Sequence, residues 1–338
     1  MNDTGWKTLF HPFERGLIAM PGEGGKWLYS GSVPGFVLPS DFEADLTCVQ
    51  GFRPFFLALE KQGRHVLPEL SAVETWCGAL VQLGRFRDDN TRRCREAISA
   101  LEPGSLVVIA GGRTEGVDPL RKRLRAAIPQ LQHASKHHGV VLWFEVPENG
   151  GDDLLPRPAD PVRHDGMTIP VGGFSADGPD PGSVMLAGYF GEKVKGAVAD
   201  FGAGWGYLGV QVLRHCPQVG SLESFEADWR SLQAARENLA TVAGSVPLAF
   251  HWQDLLTEGV ERRFDTVVMN PPFHEGRAAR PQIGIGFIDA ASRALKPGGR
   301  LLMVANRNLP YEAMLETRFR RFDQLADADG YKVIEAIR

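Results

Sequence analysis

From Ala197 onward the chain alternates runs of strand length with stretches of helical length, and this alternation constrains the fold more than any other feature. AVADF (197–201) reads as a buried strand, Tyr207 to Cys216 as a helix, SLESFE (221–226) as a strand and Trp229 to Ala240 as a helix. VPLAFHW (246–252) is a third strand-like run, DTVVMN (265–270) a fourth strand, and Gly286 to Leu295 the next helix. The turn Lys296-Pro297-Gly298-Gly299 then leads into RLLMVAN. Strands alternating with helices imply a parallel sheet covered on both faces. The last segment, RFDQLADADGYKVIEAIR, holds two strand-like runs around Asp329-Gly330, so an antiparallel hairpin is expected at one edge. The expected class is α/β, with a seven-stranded doubly wound C-terminal sheet.

At roughly 100–200 residues per domain, a chain of 338 residues predicts two domains. ENGGDDLLPRPADPV (148–162) has linker composition, which sets the expected division at residues 1–150, a linker at 151–162 and a second domain at 163–338. In the first half SLVVIA (105–110), Val117 to Ile128 and GVVLWFEV (139–146) read as a βαβ unit, a weak sign of internal duplication.

The opening residues lack a basic start followed by an apolar run, and no uncharged apolar stretch reaches the roughly 18 residues that cross a bilayer. Neither secretion nor a membrane is expected. Cys48, Cys77, Cys94 and Cys216 lie far apart without a C-x-x-C pair, which suits reduced thiols in a cytoplasm and suggests no metal. His137-His138 lack partners at ligand spacing. A net charge of −4 argues against coating nucleic acid by bulk charge. Charge is clustered, however: from Arg85 to Arg125 there are 10 basic and 6 acidic residues. Arg121, Lys122, Arg123 and Arg125 on a predicted helix, with Arg113 nearby, read either as a solvated face or as a phosphate-contacting surface, and Arg277 is a further basic candidate.

Asp200-Phe201-Gly202-Ala203-Gly204-Trp205-Gly206 follows the first C-terminal strand, where glycines let a ligand lie against backbone. The dinucleotide pattern G-x-G-x-x-G is not met, because the third glycine comes one residue early, which disfavours nicotinamide binding. Glu226 ends the second strand and is placed to accept from both hydroxyls of an adenosine ribose. Asp254 follows the third and is placed to accept from the adenine amino group. After the fourth strand comes Asn270-Pro271-Pro272-Phe273. Two prolines hold that backbone rigidly, so the Asn270 side-chain oxygen and the Pro271 carbonyl are expected to point the same way as paired acceptors for a conjugated amino group, with Phe273 stacking on its ring.

The glycine turn, the two acids and N-P-P-F, in that order, resemble the S-adenosylmethionine-dependent amino-group methyltransferases of class I fold. Phe174-Ser175, Asp177-Gly178, Asp180, Gly182-Ser183, N-P-P-F-H-E-G and VANRNLPY are similar to the bacterial small-subunit ribosomal RNA guanine-N2 methyltransferase C family. That resemblance implies two Rossmann-like methyltransferase domains, the first degenerate and either holding RNA or supporting the second. It implies S-adenosylmethionine held by Asp200, Gly202, Ala203, Gly204, Glu226 and Asp254, a flipped guanine held by Asn270 to Phe273, and ribosomal RNA or the small ribosomal subunit as partner. His274 then lines or positions rather than acting as a base. Degeneracy is expected to show at AGGRTEGV (110–117), which lacks the spaced glycines, and at Glu145, the only acid of its strand. Trp205 departs from the family pattern and is expected to narrow the space beside the cofactor. Adenine N6 and a protein glutamine amide remain open as acceptors, since N-P-P-[FY] serves all such nitrogens, and so does a non-catalytic RNA-binding or ribosome-assembly factor. The sequence leaves the oligomeric state open, and a monomer is compatible with it.

Overall fold

The computed structural model describes residues 5–70, 75–157, 160–172, 175, 178–272, 274–275, 278–279 and 281–338, in two units, Met1–Asp160 and Pro161–Arg338. The first contains α1 (Gly5–Glu14), β1 (Lys26–Ser30), β2 (Asp45–Val49), α2 (Arg53–Lys61), β3 (His65–Leu67), β4 (Trp76–Gln82), α3 (Arg87–Ser99), β5 (Leu101–Gly112), α4 (Val117–Ala127), β6 (Gln132–Lys136) and β7 (Gly139–Glu145). Its sheet has the order β3-β2-β1-β4-β5-β7-β6.

The second unit begins with a short hairpin, β8 (Val162–His164) and β9 (Met167–Ile169), then α5 (Pro181–Ala187), β10 (Gly196–Phe201), α6 (Tyr207–His215), β11 (Val219–Glu226), α7 (Trp229–Ala240), β12 (Leu248–Trp252) and β13 (Phe264–Met269). The two-residue strands β14 (His274–Glu275) and β15 (Ala278–Ala279) precede α8 (Pro281–Ala294), β16 (Leu295–Asn306), α9 (Glu312–Arg318), β17 (Arg321–Ala328) and β18 (Tyr331–Ile337). This sheet runs β12-β11-β10-β13-β16-β18-β17, so the expected seven strands and closing antiparallel hairpin are present. Alternate residues of each central strand enter opposite cores. Phe201, Met269 and Met303 pack on one face, while Val198, Val268 and Leu302 pack on the other.

The two sheets share one topology, strand for strand. Ser30 lies level with Val49 and Val81, and Phe201 level with Phe225 and Met269. The Gly31 N–H donates to the Val49 carbonyl at 3.1 Å, and the Gly202 N–H donates to the Phe225 carbonyl at 2.9 Å. The duplication is therefore much deeper than the shared βαβ pattern suggested.

Three expectations need correction. The strand at 139–145 runs antiparallel to β5, with Leu106 opposite Glu145, so 105–110, α4 and 139–146 are not a βαβ unit. Parallel βαβ connections lie earlier, from β2 through α2 to β3 and from β4 through α3 to β5. Consequently 110–117 follows the counterpart of β16, and Glu145 stands at the amino end of the parallel strands. The positions that match the glycine turn, Glu226 and Asn270 are instead Gly31, Gln50 and Gln82. Second, α8 starts at Pro281, five residues before the expected start. Gly284 and Gly286 lie inside the helix, where they serve close packing. A Cβ at Gly284 would lie 1.9 Å from Tyr311 Oη, and one at Gly286 would lie 2.5 Å from Leu256 Cδ2. Third, part of the stretch expected to be a linker is anchored: Leu154 and Leu155 are buried in the first core, and Arg95 Nη1 donates to the Leu155 carbonyl at 2.9 Å.

Candidate functional site

The site forms where β10, β11 and β13 end side by side, because parallel strands release their carboxyl-end loops at one edge. Asp200, on β10, is fully buried. Its Oδ2 accepts from the Gly209 N–H of α6 at 3.1 Å, and its Oδ1 is buried without a partner among the described residues. Burial pushes its carboxyl up to about 7.

Gly202, Gly204 and Gly206 take φ of +73°, +55° and +91°, backbone that glycine alone adopts cheaply. The N–H groups of Gly202 and Ala203 both donate to the Phe225 carbonyl, at 2.9 and 3.0 Å. Gly204 donates to Glu226 Oε2 at 2.8 Å, while Glu226 Oε1 accepts from Asp228 at 2.8 Å. Each Glu226 oxygen thus holds backbone and keeps a further lone pair for a ligand hydroxyl. Burial pushes this carboxyl up to about 7 as well. Among the described residues a Cβ at Gly204 would meet nothing within 4 Å, so the turn has an open side. Trp205 does not occupy that side. It is buried in the core with its ring 5.6 Å from that of Tyr207, and its carbonyl accepts from Asn238 Nδ2 at 2.8 Å. Asn238 also bonds both backbone groups of Thr168 and so holds the turn from below. Its only signal in the sequence was an amide on the largely apolar face of α7.

Asp254 follows β12 next to Gln253, whose N–H donates to the Glu226 carbonyl at 3.0 Å. Its Oδ1 accepts from Leu256 N–H at 3.0 Å and its Oδ2 from Thr257 Oγ1 at 2.6 Å, so it first of all fixes the turn after β12.

Asn270 follows β13 directly, and its amide is fixed by two residues to which the sequence assigned no role. Nδ2 donates to Asp180 Oδ2 at 2.8 Å and to Ser183 Oγ at 2.9 Å. Asp180 caps α5 by accepting from the Ser183 N–H at 2.9 Å, which locks this partner in place. A carboxylate only accepts, so Nδ2 must face it and Oδ1 is left as the acceptor. Pro272 borders the glycine turn: its Cδ lies 4.0 Å from the position a Cβ on Gly202 would take. Phe273 and Arg277 lie outside the described residues. Among the described residues no group of three or more His, Cys, Asp or Glu side chains is placed to hold a metal.

The methyltransferase small domain family matches residues 167–335, the span that carries this site. A ribosomal RNA small subunit methyltransferase C of Escherichia coli O17:K52:H18 is 35% identical over 246 residues, covering 71% of this chain and 69% of that protein. The chain belongs to this methyltransferase family. A second relative, from Escherichia coli O7:K1 and bearing the same description, is 36% identical over 175 residues, 51% of this chain and 50% of its own length. A T. thermophilus 16S rRNA N2 guanine methyltransferase solved with AdoMet and guanosine superposes over all of this chain and 92% of its own, with TM-score 0.78 and 25% identity.

The residues present fit S-adenosylmethionine, the molecule bound in that solved structure. Asp200 Oδ1 is an orphaned buried acceptor, which calls for a donor brought from outside the fold. The open side of Gly204, next to Glu226, leaves backbone to lie against.

The raised carboxyls carry a pH signature in the protein without ligand. Folding raises both above the ordinary range near 4, so they contribute stability that is present below about pH 4 and lost as pH rises through about 7. Asp200→Asn, which has no proton to lose, is expected to show a smaller fall in stability between pH 5 and 8. Denaturant titrations across that range check this, and an undiminished fall would assign the dependence elsewhere.

Proposed function

We propose that this chain transfers a methyl group from S-adenosylmethionine to the exocyclic N2 amine of a guanine in small-subunit ribosomal RNA, acting as a cytoplasmic enzyme for which a monomer suffices. The observation that carries the reading is the fixed Asn270 amide beside the glycine turn. Bound there, S-adenosylmethionine supplies an electrophilic methyl group on its sulfonium centre. Asn270 Oδ1 and the Pro271 carbonyl accept the two hydrogens of the amine, which pulls its nitrogen toward tetrahedral geometry and turns the lone pair toward the turn. Phe273 stacks on the base, which must leave its helix to enter. Glu226 accepts from the ribose hydroxyls, Asp200 receives a donor on Oδ1, and Asp254 shapes the adenine end through the turn it fixes. Once methylated the amine is cationic and sheds its proton to water, so no strong base is required. Proximity and orientation supply most of the rate.

Guanine is favoured over adenine N6 or a glutamine amide by the named activity of the relatives, since N-P-P-F serves all three. The first unit, with lost cofactor residues, holds RNA or supports the second, and the basic face of α4, on which Lys122, Arg123 and Arg125 are exposed, offers phosphate contacts. Arg121 there is 3.0 Å from Asp118. Mass mapping of modified nucleosides in small-subunit ribosomal RNA from cells with and without the protein tests enzyme and substrate together. One N2-methylguanosine should vanish without it, and an unchanged map would overturn the reading.

A further inference from the structure

The carboxyl edge of the first sheet corresponds to the edge that bears the glycine turn and Asn270 in the second, yet its cleft is filled from within. A Cβ at Gly31 would stand 2.5 Å from Arg93 Nη1 and 2.6 Å from the Gln82 carbonyl. Gln50, at the place of Glu226, carries no charge. Its Nε2 donates to the Ser32 carbonyl at 2.6 Å and its Oε1 accepts from the Phe52 N–H at 2.9 Å. Gln82, at the place of Asn270, is buried, with its amide against Gly5 of α1. This edge therefore offers no cradle for a cofactor.

It offers two aromatic rings instead. Phe52, just beyond β2, is 40% exposed, and Phe86, just beyond β4, is 52% exposed. Because Val49 and Val81 both lie level with Ser30, the two loops leave the sheet at one height on either side of β1. The Phe55 ring meets Phe52 edge-on at 5.5 Å, and the Arg85 guanidinium lies 5.6 Å from the centre of Phe86. Arg53, Arg85, Arg87 and Arg113 all stand on the loops and first helical turns of this edge. Of the acids there, Asp88 is exposed on the first turn of α3, while Asp89 pairs with Arg92 and Arg93 and Glu115 accepts from the Gly112 N–H at 2.6 Å.

Exposed rings alone would suit any apolar partner. Rings interleaved with arginines select one that has both flat faces and phosphates, which is a single-stranded nucleic acid. We propose that this edge is a stacking platform for unpaired nucleotides of the RNA substrate, Phe52 and Phe86 each taking a base while the arginines neutralise phosphate. The inference rests on the RNA reading given above and adds to it a second, non-catalytic nucleotide site.

Fluorescence anisotropy of a labelled single-stranded RNA decamer, titrated with the full chain over a salt series, tests it. Phe52→Ala and Phe86→Ala should each weaken binding about fivefold or more, since stacking contributes on the order of 1–3 kcal/mol per base. The slope of log affinity against log salt should not change for either. Arg85→Gln and Arg87→Gln should lower that slope by about 0.7 per lost phosphate contact. Phe86→Trp should preserve binding and Phe86→Leu should not, because leucine keeps apolar area without a π-face. Unchanged affinity in the alanine variants, or wild-type affinity in Phe86→Leu, overturns the platform. Cofactor affinity and the thermal midpoint, both expected to be unchanged, report that the variants are folded. Methyl transfer to ribosomal RNA by the unaltered chain is measured alongside. If it persists while the rings prove irrelevant, only the platform falls; if the unaltered chain neither binds RNA nor transfers a methyl group, both readings fall.

Discussion

Asn270→Ala is expected to lower turnover by on the order of 100-fold or more, the usual cost of losing one preorganised electrostatic contact to a transition state, while cofactor affinity stays unchanged. The split arises because Asn270 follows β13, whereas the glycine turn is held by Phe225 and Glu226 of β11. Asp180 acts through Asn270 as a positioning residue, which gives a graded companion result. Asp180→Ala leaves only Ser183 Oγ on Nδ2, and a hydroxyl both donates and accepts, so the amide is free to turn over. Its kcat should fall without a matching rise in KM. Asp180→Asn, whose amide oxygen can accept the same bond, should recover much of the loss. Single-turnover methyl transfer to ribosomal RNA, with calorimetric cofactor titration, separates these effects. Near-normal turnover in Asn270→Ala would make the tetrapeptide structural.

Glu226→Ala is expected to weaken S-adenosylmethionine binding by about tenfold to 100-fold, because a hydrogen bond to a charged group contributes about 1.5–3 kcal/mol. Two losses coincide. The acceptors for the ribose hydroxyls go, and the N–H of Gly204 and that of Asp228 lose the carboxylate that joins them. Turnover at saturating cofactor should fall much less, since Asn270 and Pro271 are untouched. Calorimetry gives the affinity and a saturation series gives kcat; an unaltered affinity would remove Glu226 from the cofactor site.

The sequence by itself determined the C-terminal architecture, because each of its signals is local. Buried parallel strands are predominantly apolar runs, AVADF and DTVVMN among them, and glycines mark the turn that needs positive φ. Asp329-Gly330 announced the β17–β18 hairpin for the same reason: its two residues have φ of +51° and +83°, which Asp-Gly adopts readily. The matching hairpin of the first unit turns on His137-His138, with φ of +52° and +61°. Histidine carries no such signal, so the sequence marks neither β6 nor the antiparallel direction of β7, and it points to the end of β5 and to β7 for positions that the fold places after β1, β2 and β4.

Only the tertiary structure decided how the site is held. Asp180 and Asn270 are 90 residues apart, and Asn238 and Trp205 are 33 apart. No periodicity or spacing couples such residues; the fold does, by bringing the start of α5 to the residue that follows β13 and α7 beneath the glycine turn. The same holds for the space around each glycine. Gly31 and Gly202 are alike in sequence and in backbone, with φ of +72° and +73°. Arg93 Nη1 and the Gln82 carbonyl would meet a Cβ on the first at 2.5 and 2.6 Å, whereas the tightest contact at the second is Phe287 Cε1 at 3.2 Å and the turn it begins is open at Gly204.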